Sequence, residues 1–219
     1  MQKKIFLESE ADAWFKRNKN ILSDRDYSTE DSLISVVSEI IVLCETKEPS
    51  EIKILEIGCG DGRRLAWIAE NFGCDVYGIE PSGAAVIEAK KRGINAERGT
   101  ADVLPYQNEM FDVVIYGFCL YLCDREDYFR IAYEADRVLK KNSWLLIMDF
   151  FSPMPIQTEY KHRAGVYTTK MDFKKLFDWH PAYTNYFHRI NHHISGRFTD
   201  DKNEWVGISC LRKAVAFYG

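Results

Sequence analysis

The chain reads as an α/β fold built on a mostly parallel sheet with helices on both faces. Three observations carry that reading. From Ile52 onward, apolar runs of strand length alternate with helical patterns, the grammar of a parallel sheet with right-handed crossovers. The strand runs are almost continuously apolar, as burial on both faces requires. The stretch ILEIGCGDGRRLAWIAE, Ile54 to Glu70, sets Gly58, Gly60 and Gly62 at a strand-to-helix boundary, where a backbone must pass close to something.

The elements follow in order. The first 25 residues read as a short helix carrying Trp14 and Phe15, then a loop. Ser28 or Thr29 is suited to cap a helix over 30–45, with Leu33, Ile34, Val36, Val37, Ile40, Ile41, Leu43 and Cys44 on one broad face. Lys47 to Ser50, with Pro49, breaks the chain. Strands are predicted over 53–58, 74–80, 94–100, 111–117 and 143–150, and helices over 61–72, 82–92 and 126–140. MDFKKLFDWH (171–180) reads as a helix. The runs 183–193 and 204–215 read as strands whose short Gly- and Asp-containing connection makes them antiparallel. Residues 1–50 are expected to form an N-terminal helical cap on a core spanning 51–219, one domain in total.

Composition narrows the function. Hydrophobic residues at 46% and charged residues at 28% describe a globular chain. A net charge of -4 leaves no basic footprint for nucleic acid. No apolar run is long enough to span a bilayer, and the start lacks a signal peptide's apolar core. The six cysteines form no CxxC pair and read as reduced core thiols, which points to a cytoplasmic protein.

In an open α/β sheet, ligands sit beyond the carboxyl ends of the strands. The glycine loop lies there. Glu80 stands at the end of the second predicted strand, about 20 residues beyond the loop, where a carboxylate can accept both ribose hydroxyl protons. Two ligand classes share these features: a dinucleotide and S-adenosylmethionine. A pyrophosphate needs the G-x-G-x-x-G spacing and open helix N–H groups. Here Gly62 comes one position early, Asp61 brings negative charge, and Glu56 has no clear task beside phosphates. A phosphate-free ligand carrying a cationic amine suits these acids better. An NAD-dependent oxidoreductase stays as an alternative.

The run Glu56-Ile57-Gly58-Cys59-Gly60-Asp61-Gly62 resembles the first motif of class I S-adenosylmethionine-dependent methyltransferases. VYGIEPS (76–82) is similar to their second, GTADVLPYQNEMFDVVI (99–115) to their third and fourth, and RVLKKNSWLLIMDF (137–150) to the approach to their fifth strand. The resemblance implies a Rossmann-like, seven-stranded sheet in order 3-2-1-4-5-7-6 with the last-numbered strand antiparallel. It implies S-adenosyl-L-methionine as cofactor, with S-adenosyl-L-homocysteine as product. By position it implies that Gly58, Cys59 and Gly60 lie against the methionine and ribose, and that Glu56 orients the methionyl amine. Glu80 holds the ribose. Asp102 accepts the adenine amine, the Val103 N–H meets a ring nitrogen, and Pro81 lies on the adenine face. Phe118 and Cys119 border the methionine.

SEADAWFKRN (9–18) looks like an E-x-D-x-W-F-x-R-N opening of bacterial methyltransferases of cell-surface sugar biosynthesis, which often have Gly where Ala11 stands. It implies that Trp14, Arg17 and Asn18 fold over the cofactor or acceptor. A plain docking helix anchored by Trp14 and Phe15 is the other reading. The acceptor is expected to be a small molecule, in first place a hydroxyl of a nucleotide-linked or surface-polysaccharide sugar. The alternative is a small amine. A hydroxyl needs a base. The segment 150–173 falls where this family places its acceptor site, and it offers His162 as base and Arg163 and Tyr167 as substrate contacts. Tyr121, after the fourth strand, joins them. His192 and His193 are rival bases. Adjacent histidines on a strand face opposite ways, so no metal is expected.

Overall fold

The computed structural model describes residues 2–23, 26–27, 31–44 and 47–214. In chain order the strands are β1 (Lys53–Ile57), β2 (Asp75–Glu80), β3 (Asn95–Arg98), β4 (Phe111–Gly117), β5 (Leu139–Phe150), β6 (Ile156–Glu159), β7 (Tyr167–Lys170), β8 (Tyr183–His192) and β9 (Trp205–Lys213). The α-helices are α1 (Gln2–Ile5), α2 (Ala11–Ser23), α3 (Ser32–Leu43), α4 (Arg63–Phe72), α5 (Gly83–Lys91) and α6 (Tyr128–Val138). A π-type turn, Phe6–Glu10, joins α1 to α2.

One sheet holds seven strands in the order β3-β2-β1-β4-β5-β9-β8. β1 to β5 run parallel, and β9 runs antiparallel between β5 and β8. This is the implied order and orientation. The central strands are apolar on both sides because both sides are covered. Along β4, Val113 and Ile115 enter one buried cluster, while Val114 and Tyr116 enter the other. Helices α3, α4 and α5 cover the first face through Val37, Ile40, Leu65, Ile68 and Ala89. Helix α6 covers the second through Ile131, Ala135 and Val138.

Local chemistry explains the element ends. The expected caps Ser28 and Thr29 lie outside the described residues. The observed N-cap of α3 is Asp31, whose side chain accepts the Leu33 N–H at 3.0 Å. Ser82 caps α5 by accepting from Ala85 at 3.1 Å.

Three expectations are corrected. Residues 171–180 do not form an α-helix; only Phe173–Leu176 coil, as a 3-10 turn. Phe173 and Phe177 bury themselves against the sheet, but a segment this short with two anchors does not propagate a helix. Helix α6 ends at Val138 rather than Lys140, and β5 begins at Leu139 rather than Ser143. The cause is pairing: Leu139 joins Phe111 of β4, and Met110 N–H donates to the Val138 carbonyl at 2.8 Å. The segment after β5, for which no strand is predicted, contains the antiparallel hairpin β6–β7.

Candidate active site

The carboxyl ends of β1, β2 and β4 open into a cavity of about 1080 Å³. Trp14, Glu56, Gly58, Cys59, Gly60, Glu80, Pro81, Asp102, Phe118, Cys119, Tyr121 and His162 line it, as does Asn18. Arg17, Val103, Arg163 and Tyr167 do not. The Val103 side chain is 60% exposed, and its N–H donates to the Thr100 carbonyl at 3.3 Å. Arg163 lies in the turn between β6 and β7, where its N–H donates to the Tyr160 carbonyl. Tyr167 is held by its backbone: its N–H donates to Gln2 Oε1 at 2.8 Å, and its carbonyl accepts from Gln2 Nε2 at 3.0 Å.

The glycine loop does two different jobs. A Cβ on Gly62 would stand 3.0 Å from both Ala89 and Ile94, so this residue lets α4 and α5 come together. Gly60 has φ of +54° and nothing within 4 Å of its would-be Cβ, so its open side belongs to the cavity. Phe118, directly after β4, holds a positive φ of 58°, an uncommon strain for an aromatic residue at a cavity wall.

Glu80 ties the loop to β2. Its Oε2 accepts the Gly60 N–H at 3.0 Å and its Oε1 accepts the Ser82 N–H at 2.9 Å. Burial pushes its carboxyl up to about 7. Glu56 is 1% exposed, and one oxygen pairs with Arg64. Its other oxygen, Oε2, is buried with no hydrogen-bond partner. Burial pushes Glu56 up to about 7 against the pull of Arg64. Arg64 in turn donates through Nε to Asp31 at 3.0 Å. The sequence reading missed Asp31 and Arg64. Their signals were the helix cap and an arginine in the first turn after the glycines.

Asp102 is engaged by a residue nothing in the sequence had singled out. Lys3 Nζ donates to Asp102 Oδ2 at 2.6 Å and lies 3.0 Å from Asp127. Burial pushes Asp102 up, but the hydrogen bonds from Lys3 and Thr100 outweigh it and the net shift is downward. Asp61 also differs from its sequence-based role. Its carboxylate is paired with Arg63 at 2.8 Å and Arg92 at 3.3 Å, so its charge is compensated rather than turned on a ligand. The spacing of Gly62, not the charge of Asp61, carries the argument against a pyrophosphate.

The E-x-D-x-W-F-x-R-N residues form a strap across the cavity. Asp12 accepts from the Ser82 hydroxyl at 2.5 Å and the Ala84 N–H at 3.1 Å, at the start of α5. Arg17 pairs with the buried Glu10 at 2.5 Å and donates to the Tyr160 hydroxyl at 3.0 Å. Asp12, in the first turn of α2, is therefore fixed to the β2–α5 loop, and Arg17, in the middle of α2, to Tyr160 just after β6. Trp14, between them, and Asn18, just beyond, line the cavity.

Phe150 packs against Phe118 at 5.3 Å and Tyr121 at 5.0 Å between ring centroids. His162 meets Tyr160 edge-on at 5.2 Å. His193 also lines the cavity. The reason given for excluding a metal does not hold. β8 ends at His192, and the His192 and His193 rings stack at 5.2 Å with Glu204 beside them. His193 Nδ1 lies 2.5 Å from Glu204 Oε2, and His192 Nε2 3.8 Å. His192 Nδ1, however, accepts the Ile194 and Ser195 N–H groups at 3.0 and 3.2 Å. In a neutral ring that places the proton on Nε2 and leaves no lone pair there for a cation.

This sheet order, with the glycine loop after β1 and an acid at the end of β2, is the fold of the class I S-adenosylmethionine-dependent methyltransferases. Residues 55–147 match the family model of a methyltransferase domain. An uncharacterized protein of Haemophilus influenzae is 31% identical over 105 residues, 44% of this chain and 42% of that protein. The sarcosine/dimethylglycine N-methyltransferase of Aphanothece halophytica is 30% identical over 122 residues, 51% of this chain and 40% of that enzyme. The chain thus spans less than half the length of these curated relatives. Among solved structures, Burkholderia thailandensis 1,6-didemethyltoxoflavin-N1-methyltransferase, with bound 1,6-didemethyltoxoflavin and S-adenosylhomocysteine, aligns with a TM-score of 0.62. That alignment covers 93% of this chain and 89% of the other at 17% identity, a likeness of fold.

Proposed function

We propose that the protein transfers a methyl group from S-adenosyl-L-methionine to a small-molecule acceptor. The observation that carries this is the unpartnered, buried Glu56 Oε2 in the cavity that Gly60 also lines. A buried carboxylate oxygen without a donor is costly, and a ligand's ammonium group relieves it. The residues therefore fit this cofactor. Glu56 takes the methionyl amine, Glu80 the ribose hydroxyls, Gly58, Cys59 and Gly60 the chain between, and Asp102 and Pro81 the adenine. When bound, the cofactor supplies an electrophilic methyl on a sulfonium. Phe118, Tyr121 and Phe150 then exclude water and restrict how an acceptor approaches.

The preferred acceptor is a hydroxyl on a nucleotide-linked or surface-polysaccharide sugar, supported by the resemblance of residues 9–18. In that reading His162 takes the hydroxyl proton. A second reading, methylation of a small amine, is favoured by the N-methyltransferases among the similar proteins and needs no base. Calorimetry with S-adenosylhomocysteine tests the cofactor: micromolar, saturable binding is expected, and none, with NADH bound instead, would sink the proposal. Labelled methyl transfer to panels of nucleotide sugars and amines separates the two acceptors.

A further inference from the structure

A second cavity, of about 480 Å³, adjoins the first. The two share Tyr160 and His162 as lining residues, so those side chains form the boundary between them. The smaller cavity is lined by three lysines, Lys161, Lys170 and Lys202, and one acid, Glu159. Among the described residues, none of these lysines enters a salt bridge. Several lysines elsewhere are paired, Lys3, Lys47, Lys140, Lys174 and Lys213 each reaching a carboxylate. In a chain of net charge -4, uncompensated positive charge gathered around one concavity is a local anomaly.

Lys170 Nζ donates to the Asn203 carbonyl at 2.7 Å and lies 5.2 Å from the Phe150 ring, which belongs to the larger cavity's wall. Lys202 Nζ lies 5.9 Å from the Trp205 ring, which also lines the smaller cavity. One cation thus stands beside the aromatic wall of the methyl-transfer cavity, and the other two line the adjoining pocket that His162 borders.

We propose that this second cavity is a binding site for the phosphate or diphosphate of the acceptor. Three ammonium groups against one carboxylate leave a formal excess of two positive charges, which matches a dianionic phosphate better than a single carboxylate. A molecule anchored there by its phosphate presents its far end across His162 to the larger cavity. The proposal rests on the methyltransferase reading and narrows its acceptor to a phosphorylated small molecule.

The test uses inorganic pyrophosphate as probe, titrated by calorimetry into full-length protein saturated with S-adenosylhomocysteine. Saturation keeps the probe off the glycine loop. The expected result is saturable, one-site binding, weakened at least tenfold in Lys170→Gln/Lys202→Gln, with S-adenosylhomocysteine affinity unchanged as the control for folding. Succinate, a dicarboxylate, is expected to bind at least tenfold more weakly than pyrophosphate. No saturable binding of pyrophosphate, undiminished binding in the double variant, or equal binding of succinate would each overturn the proposal. Failure of S-adenosylhomocysteine to bind the wild type would instead sink the methyltransferase reading. Pyrophosphate is then titrated into the cofactor-free protein, where the same loss in the double variant supports the pocket on its own and equal binding overturns it.

Discussion

Glu56 and Glu80 are where single side chains decide most. Both carboxyls are raised by burial from 4.5 to about 7. Between those values the folded chain holds protons that the unfolded chain has released, so the ligand-free protein loses stability as pH rises through that window. Cofactor binding has the opposite sign, because ionised carboxylates accept from an ammonium or a ribose hydroxyl more strongly than the protonated acids do. S-adenosylhomocysteine affinity should rise as pH passes through about 7, while the melting temperature of the free protein falls between pH 4.5 and about 7. A flat affinity profile would count against both assigned roles. Glu80→Ala should weaken S-adenosylhomocysteine binding by ~1–3 kcal/mol, as for a lost charged hydrogen-bonding partner. Gly60→Val should abolish it, since its side chain would enter the cavity from a positive-φ position. His162→Ala should lower turnover roughly 10²–10⁴-fold with cofactor affinity nearly unchanged. If turnover survives, the base is elsewhere or the acceptor is an amine.

Helices and strands act through their attachments. The α2 strap is held at Asp12 and Arg17, and the two attachments should respond differently. Asp12→Ala removes an acceptor from the start of α5 and should cost about 0.5–2 kcal/mol of stability, the range for a lost helix cap. Chemical denaturation measures this. Arg17→Ala releases Tyr160 and leaves Glu10 buried without its partner. Hydrogen exchange should then quicken in β6 and β7, while exchange in β1, β2 and β4 stays as in the wild type. Uniform quickening across the sheet would show that Arg17 supports the whole fold rather than the hairpin. Much of this level was readable in advance. The continuous apolar run of β4 and the i, i+3, i+4 stripe along α3 are local signals with long-range meaning, because a strand covered on both faces must be apolar throughout while a helix buries one face. The 171–180 segment misled because two phenylalanines four apart satisfy a helical pattern and a tight buried turn equally well.

For the molecule as a whole, transfer should continue in the presence of a chelator. His192 is held in a tautomer that donates rather than ligates, so the His192–His193–Glu204 group lacks a complete ligand set in this arrangement. Activity lost in chelator and restored by a divalent cation would reverse that conclusion. The sequence by itself determined the parallel sheet, its strand order by resemblance, the glycine loop and Glu80, because spacing along one chain encodes a strand, a turn and a helix. It also marked residues 9–18 as a unit, with two readings of what they do: folding over the cofactor or acceptor, or docking as a plain helix. Only the tertiary structure decided that Asp12 meets Ser82, that Arg17 meets Tyr160, and that Lys3 reaches Asp102. It alone showed that Arg163 and Tyr167 lie off the cavity while Lys170 and Lys202 line its neighbour. The reason is range. Those contacts join residues tens to more than a hundred positions apart, and no local period or motif records which charged side chain will be brought to which carboxylate when the sheet closes its layers.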